Sequence, residues 1–338
     1  MYVPGMNQMK EFTIVLLEKL RESGRYETAK RYQTVLNSFL AFTGQSEVTF
    51  SGLTPSLLSE YETYLKNKEC RQSTISMYLR TFRAICHRAV KEEKAELMPH
   101  LFDSLYTGQD RTTKRALPLE SLNRIVQFKP TEKNVNLTFT RDMYMLSFYL
   151  RGIPFVDLAH LRHTDIRDGI LYYHRSKTGQ PLFVRLNYRA LEIIHRYATD
   201  KRQSCYLLPL IKRPGAKDEH CQYDSALRLY NKRLKLLARE LGLKENLTSY
   251  VARHSWATVA YDHGISVAYI SESLGHSSEE VTYNYLESFT VDMLANVNDF
   301  VIDIVTNKSK KNGYYGEESS FSRRNREARQ GRKKRSGY

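Results

Sequence analysis

Three residue types in the last third of the chain could together carry out phosphoryl transfer. Arg253 lies within a helix-like run, Leu274-Gly275-His276 reads as a turn, and Tyr285 and Tyr283 stand nine and seven residues past that histidine. Moving a phosphoryl group onto a protein hydroxyl needs an in-line nucleophile and cations that neutralise the non-bridging oxygens. Arginine suits the second task, because its planar fork makes bidentate contacts and stays charged at any working pH. Tyrosine titrates near pH ~10, so it attacks only with cationic neighbours and a proton acceptor. His276, following a glycine turn, can hydrogen-bond the transferring phosphate or simply cap a helix.

Composition is compatible with that chemistry. The 338 residues are enough for two separate cores. With 52 basic and 37 acidic residues the formal charge is +15, which points to a polyanion, nucleic acid first. From Lys308 onward eleven Lys/Arg face three Glu, a net of +8, leaving +7 for the preceding residues. That polar end lacks apolar periodicity and reads as a disordered basic tail. No apolar run approaches the ~20 residues needed to span a bilayer, and no signal-peptide pattern opens the sequence. Cys70, Cys86, Cys205 and Cys221 show neither C-x-x-C spacing nor nearby histidines at zinc-ligand intervals. A reduced, cytoplasmic, metal-free protein is the simplest reading.

The elements that must position these residues are mostly helical. Phe12, Val15, Leu16 and Leu20 follow helical spacing up to Gly24, and Ala29, Tyr32, Leu36, Phe39 and Leu40 do so up to Gly44. Thr54-Pro55 reads as a helix cap and first turn. A fourth helix from about Ser73 sets Ile75, Leu79, Phe82 and Ile85 against a face bearing Arg71, Arg80, Arg83, Arg88 and Lys91. A basic, aperiodic linker follows, with Arg111, Lys114 and Arg115. Next come a helix from Leu119, a buried-looking helix over Thr140–Leu150, and two strand-like runs, Ile170–Tyr173 and Leu182–Leu186. The strands flank Ser176-Lys177-Thr178-Gly179-Gln180, where a lysine would ordinarily be a surface charge. Helices return after residue 187, one of them carrying Arg228, Lys232, Arg233 and Lys235.

The stretch TSYVARHSWATVAYDHGISVAYISESLGHSSEEVTYNYLESF, from Thr248 to Phe289, resembles the C-terminal signature of the tyrosine recombinases, the phage-integrase family. That signature is a box beginning His-x-x-Arg, then Leu-Gly-His, then a nucleophilic tyrosine nine residues after the histidine. Arg253, His276 and Tyr285 fall on it. Tyr250 stands where the family mostly has histidine; a tyrosine there can hydrogen-bond a phosphate oxygen but is a poor base. The family's first arginine belongs in LRGIPFVDLAHLRHTDI. Anchoring on Asp157 puts Pro154 at that place, anchoring on the preceding helix puts Arg151 there, and Arg151 is preferred, with Arg162 a weaker substitute placed in the following helix. The resemblance also gives Lys177 the minor-groove position beside the cleaved bond, where an ammonium protonates the departing 5′ oxygen.

The resemblance implies a mainly α fold: an N-terminal four-helix (SAM-like) core-binding domain over residues 1–100, a linker over 101–118, a mixed α/β catalytic domain with a small β-hairpin over 119–306, and the disordered tail over 307–338. It further implies a site-specific recombinase acting through a 3′-phosphotyrosine, in inversion or in integration and excision, and resembling the bacterial invertase and mobile-element branch. No cofactor and no metal are expected. The expected partners are double-stranded DNA with inverted-repeat sites, three further copies in a homotetramer on paired sites (a monomer when free), and an accessory DNA-bending protein. The apolar stripe Met293, Val297, Phe300, Val301 and Ile304 would dock on a neighbouring copy. The expected location is the bacterial cytoplasm, at the nucleoid. A type IB topoisomerase and an inactive DNA-binding regulator on the same fold are the alternatives.

Overall fold

Apolar residues at helical spacing build the first four helices of the computed structural model: α1 (Met9–Glu22), α2 (Tyr26–Thr43), α3 (Pro55–Asn67) and α4 (Gln72–Lys91). The structure describes residues 8–44, 48–105, 107–108, 115–131, 134, 136–276, 278–283 and 286. Helix α2 ends on left-handed Gly44. Helix α3 starts with Thr54 Oγ1 accepting the Leu57 N–H and Pro55 in the first turn, a cap that contributes about 1 kcal/mol. Between these helices Phe39 packs on Phe82 at 4.4 Å and edge-on to Tyr61 at 5.0 Å, in a core closed by Leu101, Phe102 and Leu105.

A second core runs from Leu117 to Ala252. It gathers α5 (Leu119–Gln127), α6 (Asn136–Tyr149), the short α7 (Phe155–Ala159), α8 (Tyr188–Tyr197), α9 (Glu219–Glu240) and α10 (Val251–Asp262) around a small antiparallel sheet. The sheet order is β1 (Ile166–Arg167), β2 (Ile170–His174), β3 (Pro181–Arg185), with Tyr172 opposite Phe183. The hairpin matches the sequence pattern, whereas β1 was not expected: two residues are too short to show an alternation. Helices α11 (Val267–Leu274) and α12 (Glu279–Tyr283) belong with a small cluster of Ala257, Ile270, Leu274 and Leu286. The fold is therefore mostly helical with one small sheet.

The two larger cores touch where the Tyr26 ring stacks on His220 at 4.0 Å and Lys30 approaches Asp224 at 3.3 Å. The ion pair is exposed and contributes little on its own. Among the described residues no helix is long and apolar enough to cross a membrane. The four cysteines are free thiols. Arg111, Lys114, the stripe from Met293 to Ile304 and the basic tail lie outside the described residues.

Two consecutive left-handed residues end α6, Arg151 at φ 59° and Gly152 at φ 69°. Ser147 holds this turn, its carbonyl accepting the Gly152 and Ile153 N–H groups and its hydroxyl donating to the Ile153 carbonyl. A Cβ on Gly152 would lie 2.5 Å from the Arg253 Cα, a backbone atom that cannot step aside. Gly152→Ala is expected to lower the unfolding free energy by about 2 kcal/mol or more, combining left-handed strain with that overlap. Urea denaturation measures it, and an unchanged midpoint would contradict the close approach.

Candidate functional site

Arg253, in the first turn of α10, is 1% exposed and among the described residues is the largest side chain so fully buried. A guanidinium removed from water is costly unless its donors are met. Here Nη1 donates to the Gly152 carbonyl at 3.1 Å, and Nη2 donates to the Leu274 carbonyl and to His276 Nε2, the latter at 3.0 Å. The Leu274 carbonyl ends α11, where the helix presents partial negative charge. Gly275 ends that helix in the left-handed conformation at φ 65°, and Leu182 of β3 lies against it, within 2.9 Å of where a Cβ would be. The turn thus throws His276 back toward α10.

Because Nε2 accepts from a guanidinium, the His276 ring proton lies on Nδ1, which donates to Thr282 Oγ1 at 2.8 Å. Thr282 is fully buried on α12. Burial first, then the charges of Arg253, Arg175 and Lys177, lower the His276 pKa to about 3. The ring is therefore neutral at working pH, with its Nε2 lone pair turned to the arginine.

The hairpin supplies the other wall. Leu171, Tyr173 and Arg175 are the inward-facing positions of one alternating run, so Arg175 is buried although charged. Its Nη1 donates to the carbonyls of Leu274, at 2.7 Å, and of Gly275, at 3.1 Å. Asp157 of α7 is buried too, and its Oδ1 accepts the Ser176 N–H at 2.9 Å. Tyr173 is pushed up to about 12 by burial and by the Asp157 charge, against the opposing pull of Arg253, Arg175 and Arg151. The charges acting on Tyr173 and His276 include those of Arg151, Arg175, Lys177 and Arg253, together with the Asp157 carboxylate. Among the described residues no carboxylate forms an ion pair with Arg151, Arg175 or Lys177. Such a concentration of fixed cations suits an anion with several oxygens.

The six sequence candidates fare differently. Arg253 and His276 touch, and Arg151 and Lys177 lie within electrostatic reach of the same centre. Tyr250 immediately precedes α10 and sets its ring edge-on to His254, 5.2 Å between centroids. Tyr285 lies outside the described residues. The competing Tyr283 ends α12 and is 54% exposed. Pro154 precedes α7. Arg162 is not in a helix as expected: extended backbone carries it into a 3-10 turn over His163–Asp165, where its N–H meets the Asp165 carboxylate. Leu161-Arg162 pairs instead with the strand-like segment at Tyr206 and Leu207, which pulls it out of α7. Asp157, Tyr173 and Arg175 were not foreseen as site residues. Asp157 was legible as a lone acid in an apolar run, and Arg175 by the parity of the strand.

Residues 115–290 match the profile of the phage integrase family, more than half of the chain. The chain belongs to the phage integrase family. Residues 9–104 of this integrase-family protein match the phage integrase SAM-like domain. Tyrosine recombinase XerD of Listeria innocua serovar 6a is 20% identical over 267 residues, 76% of this chain and 86% of the relative. Tyrosine recombinase XerC of Rickettsia canadensis is 40% identical over a shorter stretch of 60 residues, 18% of this chain and 20% of the relative. In fold it is similar to a lambda integrase (75–356) dimer bound to a COC′ core site (TM-score 0.59, 13% identity, 84% of this chain and 99% of that one). A Tn1549 transposon integrase in complex with a circular intermediate DNA is alike to the same degree (TM-score 0.60, 13% identity, 86% and 99%).

The neutral imidazole gives a pH dependence with a definite sign. His276 falls to about 3 and His254 to about 4, the latter through burial and the charges of Arg115 and Arg253. Between those values and ~6.5 the unfolded chain binds more protons than the integrase fold, so stability is complete above ~6.5 and is lost as pH falls. His276→Gln should flatten the decline of Tm between pH 7 and pH 5 in thermal melts of the DNA-free protein. A decline as steep as that of the parent would show that His276 is not held neutral.

Proposed function

We propose that this integrase-family protein is a site-specific recombinase that cleaves and rejoins double-stranded DNA through a 3′-phosphotyrosine. The observation that carries this reading is the buried Arg253 guanidinium facing the His276 ring, with the charges of Arg151, Arg175 and Lys177 acting on the same centre. A scissile phosphodiester fits such a centre, with Arg151 and Arg253 on its non-bridging oxygens and the His276 ring holding the Arg253 guanidinium in place through Nε2. Tyr285 attacks in line, Lys177 gives its proton to the departing 5′ oxygen, and Tyr250 borders the phosphate at the entrance to α10. The phosphotyrosine conserves the bond energy, so a second 5′ hydroxyl rejoins the strand with neither ATP nor metal.

Within that scheme residues 1–100 and 119–306 grip opposite sides of the duplex through the 101–118 linker, and the stripe from Met293 to Ile304 engages the next copy in a tetramer on paired inverted-repeat sites. The reaction is inversion or integration and excision, on DNA in the bacterial cytoplasm, with a DNA-bending protein assisting. Several solved relatives are described as DNA complexes, among them a lambda integrase tetramer bound to a Holliday junction, which supports DNA as the substrate.

Nicked duplexes drawn from the DNA flanking the gene test this reading, incubated with the protein in EDTA and resolved on a denaturing gel. A covalent protein–DNA band is expected, absent in Tyr285→Phe while DNA binding persists, and reduced about 100-fold or more in Arg253→Ala. A band that survives in Tyr285→Phe and disappears in Tyr283→Phe would move the nucleophile. Binding with no band on any of the flanking sequences would make the protein a DNA-binding regulator.

A further inference from the structure

Arg175 is a buried charge that the proposed chemistry does not use. It is 5% exposed, no carboxylate among the described residues pairs with it, and its Nε has no hydrogen-bond partner among them. A methionine or leucine of similar length would fill the same inward-facing position without the cost of stripping a guanidinium of water. Something other than packing must account for the arginine.

Its bonds show what it joins. The side chain reaches the carbonyls of Leu274 and Gly275, the two residues before His276. The main chain of the same residue closes the hairpin tip: its N–H donates to the Gln180 carbonyl at 2.9 Å, and its carbonyl accepts the Thr178 and Gly179 N–H groups at 3.2 and 2.7 Å. Lys177 lies inside that closed turn, whose neighbouring Ser176 N–H is held by Asp157. The Leu274 carbonyl that receives Arg175 receives Arg253 as well. One residue therefore ties the loop that carries Lys177 to the turn that carries His276 and, through a shared carbonyl, to Arg253.

We infer that Arg175 is a positioning residue, which sets the distance between the Lys177 ammonium and the phosphate held by Arg151 and Arg253. The inference rests on the recombinase reading of the site. Cutting the tie leaves the strands packed in the core but frees the tip that carries Lys177 from the His276 turn, with the Asp157 bond to Ser176 still in place, so the proton donor loses its register while the cationic pocket remains. A misplacement of about 1 Å is enough to slow a positioned group about 100-fold.

The test is single-turnover cleavage by the full-length protein of nicked duplexes carrying either the ordinary 5′ oxygen or a 5′ bridging sulfur at the scissile bond. A sulfur leaving group departs as thiolate and needs no proton from Lys177. Arg175→Gln should cleave the oxygen substrate about 100-fold more slowly than the parent, bind DNA as the parent does, and recover most of its rate on sulfur. The ratio of sulfur to oxygen rates should then rise at least ~10-fold, as it should in Lys177→Ala, the benchmark for a lost acid. If Arg175→Gln does not fold, Arg175→Lys, which keeps the charge but offers one donor centre in place of the fork, should raise the same ratio. A folded variant whose ratio equals that of the parent would overturn the positioning role, because a purely structural defect slows both substrates alike. Failure of the parent to cleave either substrate would instead overturn the recombinase reading, and the inference with it.

Discussion

The organisation of the second half of the molecule depends on satisfying one buried positive charge. Arg253 cannot remain in the interior unless dipoles replace its water, and the dipoles come from three directions: the Gly152 carbonyl, the end of α11 at Leu274, and the His276 ring. Each contact constrains an element. The first requires a residue without a Cβ where the α6 turn crosses α10, and the second requires a helix that stops at a left-handed glycine. The third fixes the tautomer of His276 and thereby its bond to Thr282. Behind α10, the Ser255 hydroxyl accepts the Leu117 N–H at 2.9 Å, which ties the segment before α5 to the same helix two residues from Arg253. A charge that is fixed by its surroundings in this way requires no rearrangement when an anion arrives.

The surrounding electrostatics follow from the same constraint. Carbonyl dipoles satisfy a guanidinium without cancelling its charge, whereas a carboxylate would do both. Arg253 and Arg175 share a carbonyl, and Asp157 spends one oxygen on the hairpin backbone. The contrast with Asp142 is instructive. That buried acid lies 2.6 Å from Arg141 and 2.8 Å from Arg196, which also meets Glu192 at 2.7 Å, a neutral cluster of two acids and two arginines that merely fastens α8 to α6. The fold thus neutralises its arginines where they hold helices together, and leaves them charged where α10, α11 and the hairpin meet.

Much of this was legible in the sequence, for identifiable reasons. Gly44, Thr54 and Pro55 mark helix ends because their backbone preferences are local, and the structure ends and begins helices at those residues. Arg253 and His276 were legible as site residues through their chemistry and the resemblance to the family signature, and the structure brings the two into contact. What was missed depends on tertiary contacts. Arg175 carries no motif of its own beside Lys177, although the parity of Leu171 and Tyr173 puts position 175 on the buried face. Strand β1 exists only because β2 is there to pair with it. Arg162 left its expected helix because an isolated bridge pairs it with Tyr206, distant in sequence, while the neighbouring Leu161 carbonyl accepts the Leu207 N–H.

In the proposed function the buried Arg253 charge neutralises a phosphodiester during cleavage. Replacing one non-bridging oxygen of the scissile phosphate by methyl removes that negative charge and leaves the bond to be broken in place. Rates of covalent attachment should be compared for Arg253→Ala on the phosphate and on the methylphosphonate, so that any loss of folded protein cancels between substrates. If Arg253 serves the charge, the variant attaches to the methylphosphonate at least ~10-fold faster than to the phosphate, the reverse of an intact cationic site. An equal defect on both substrates would mean that Arg253 is a strut of the fold and that the negative charge is met elsewhere.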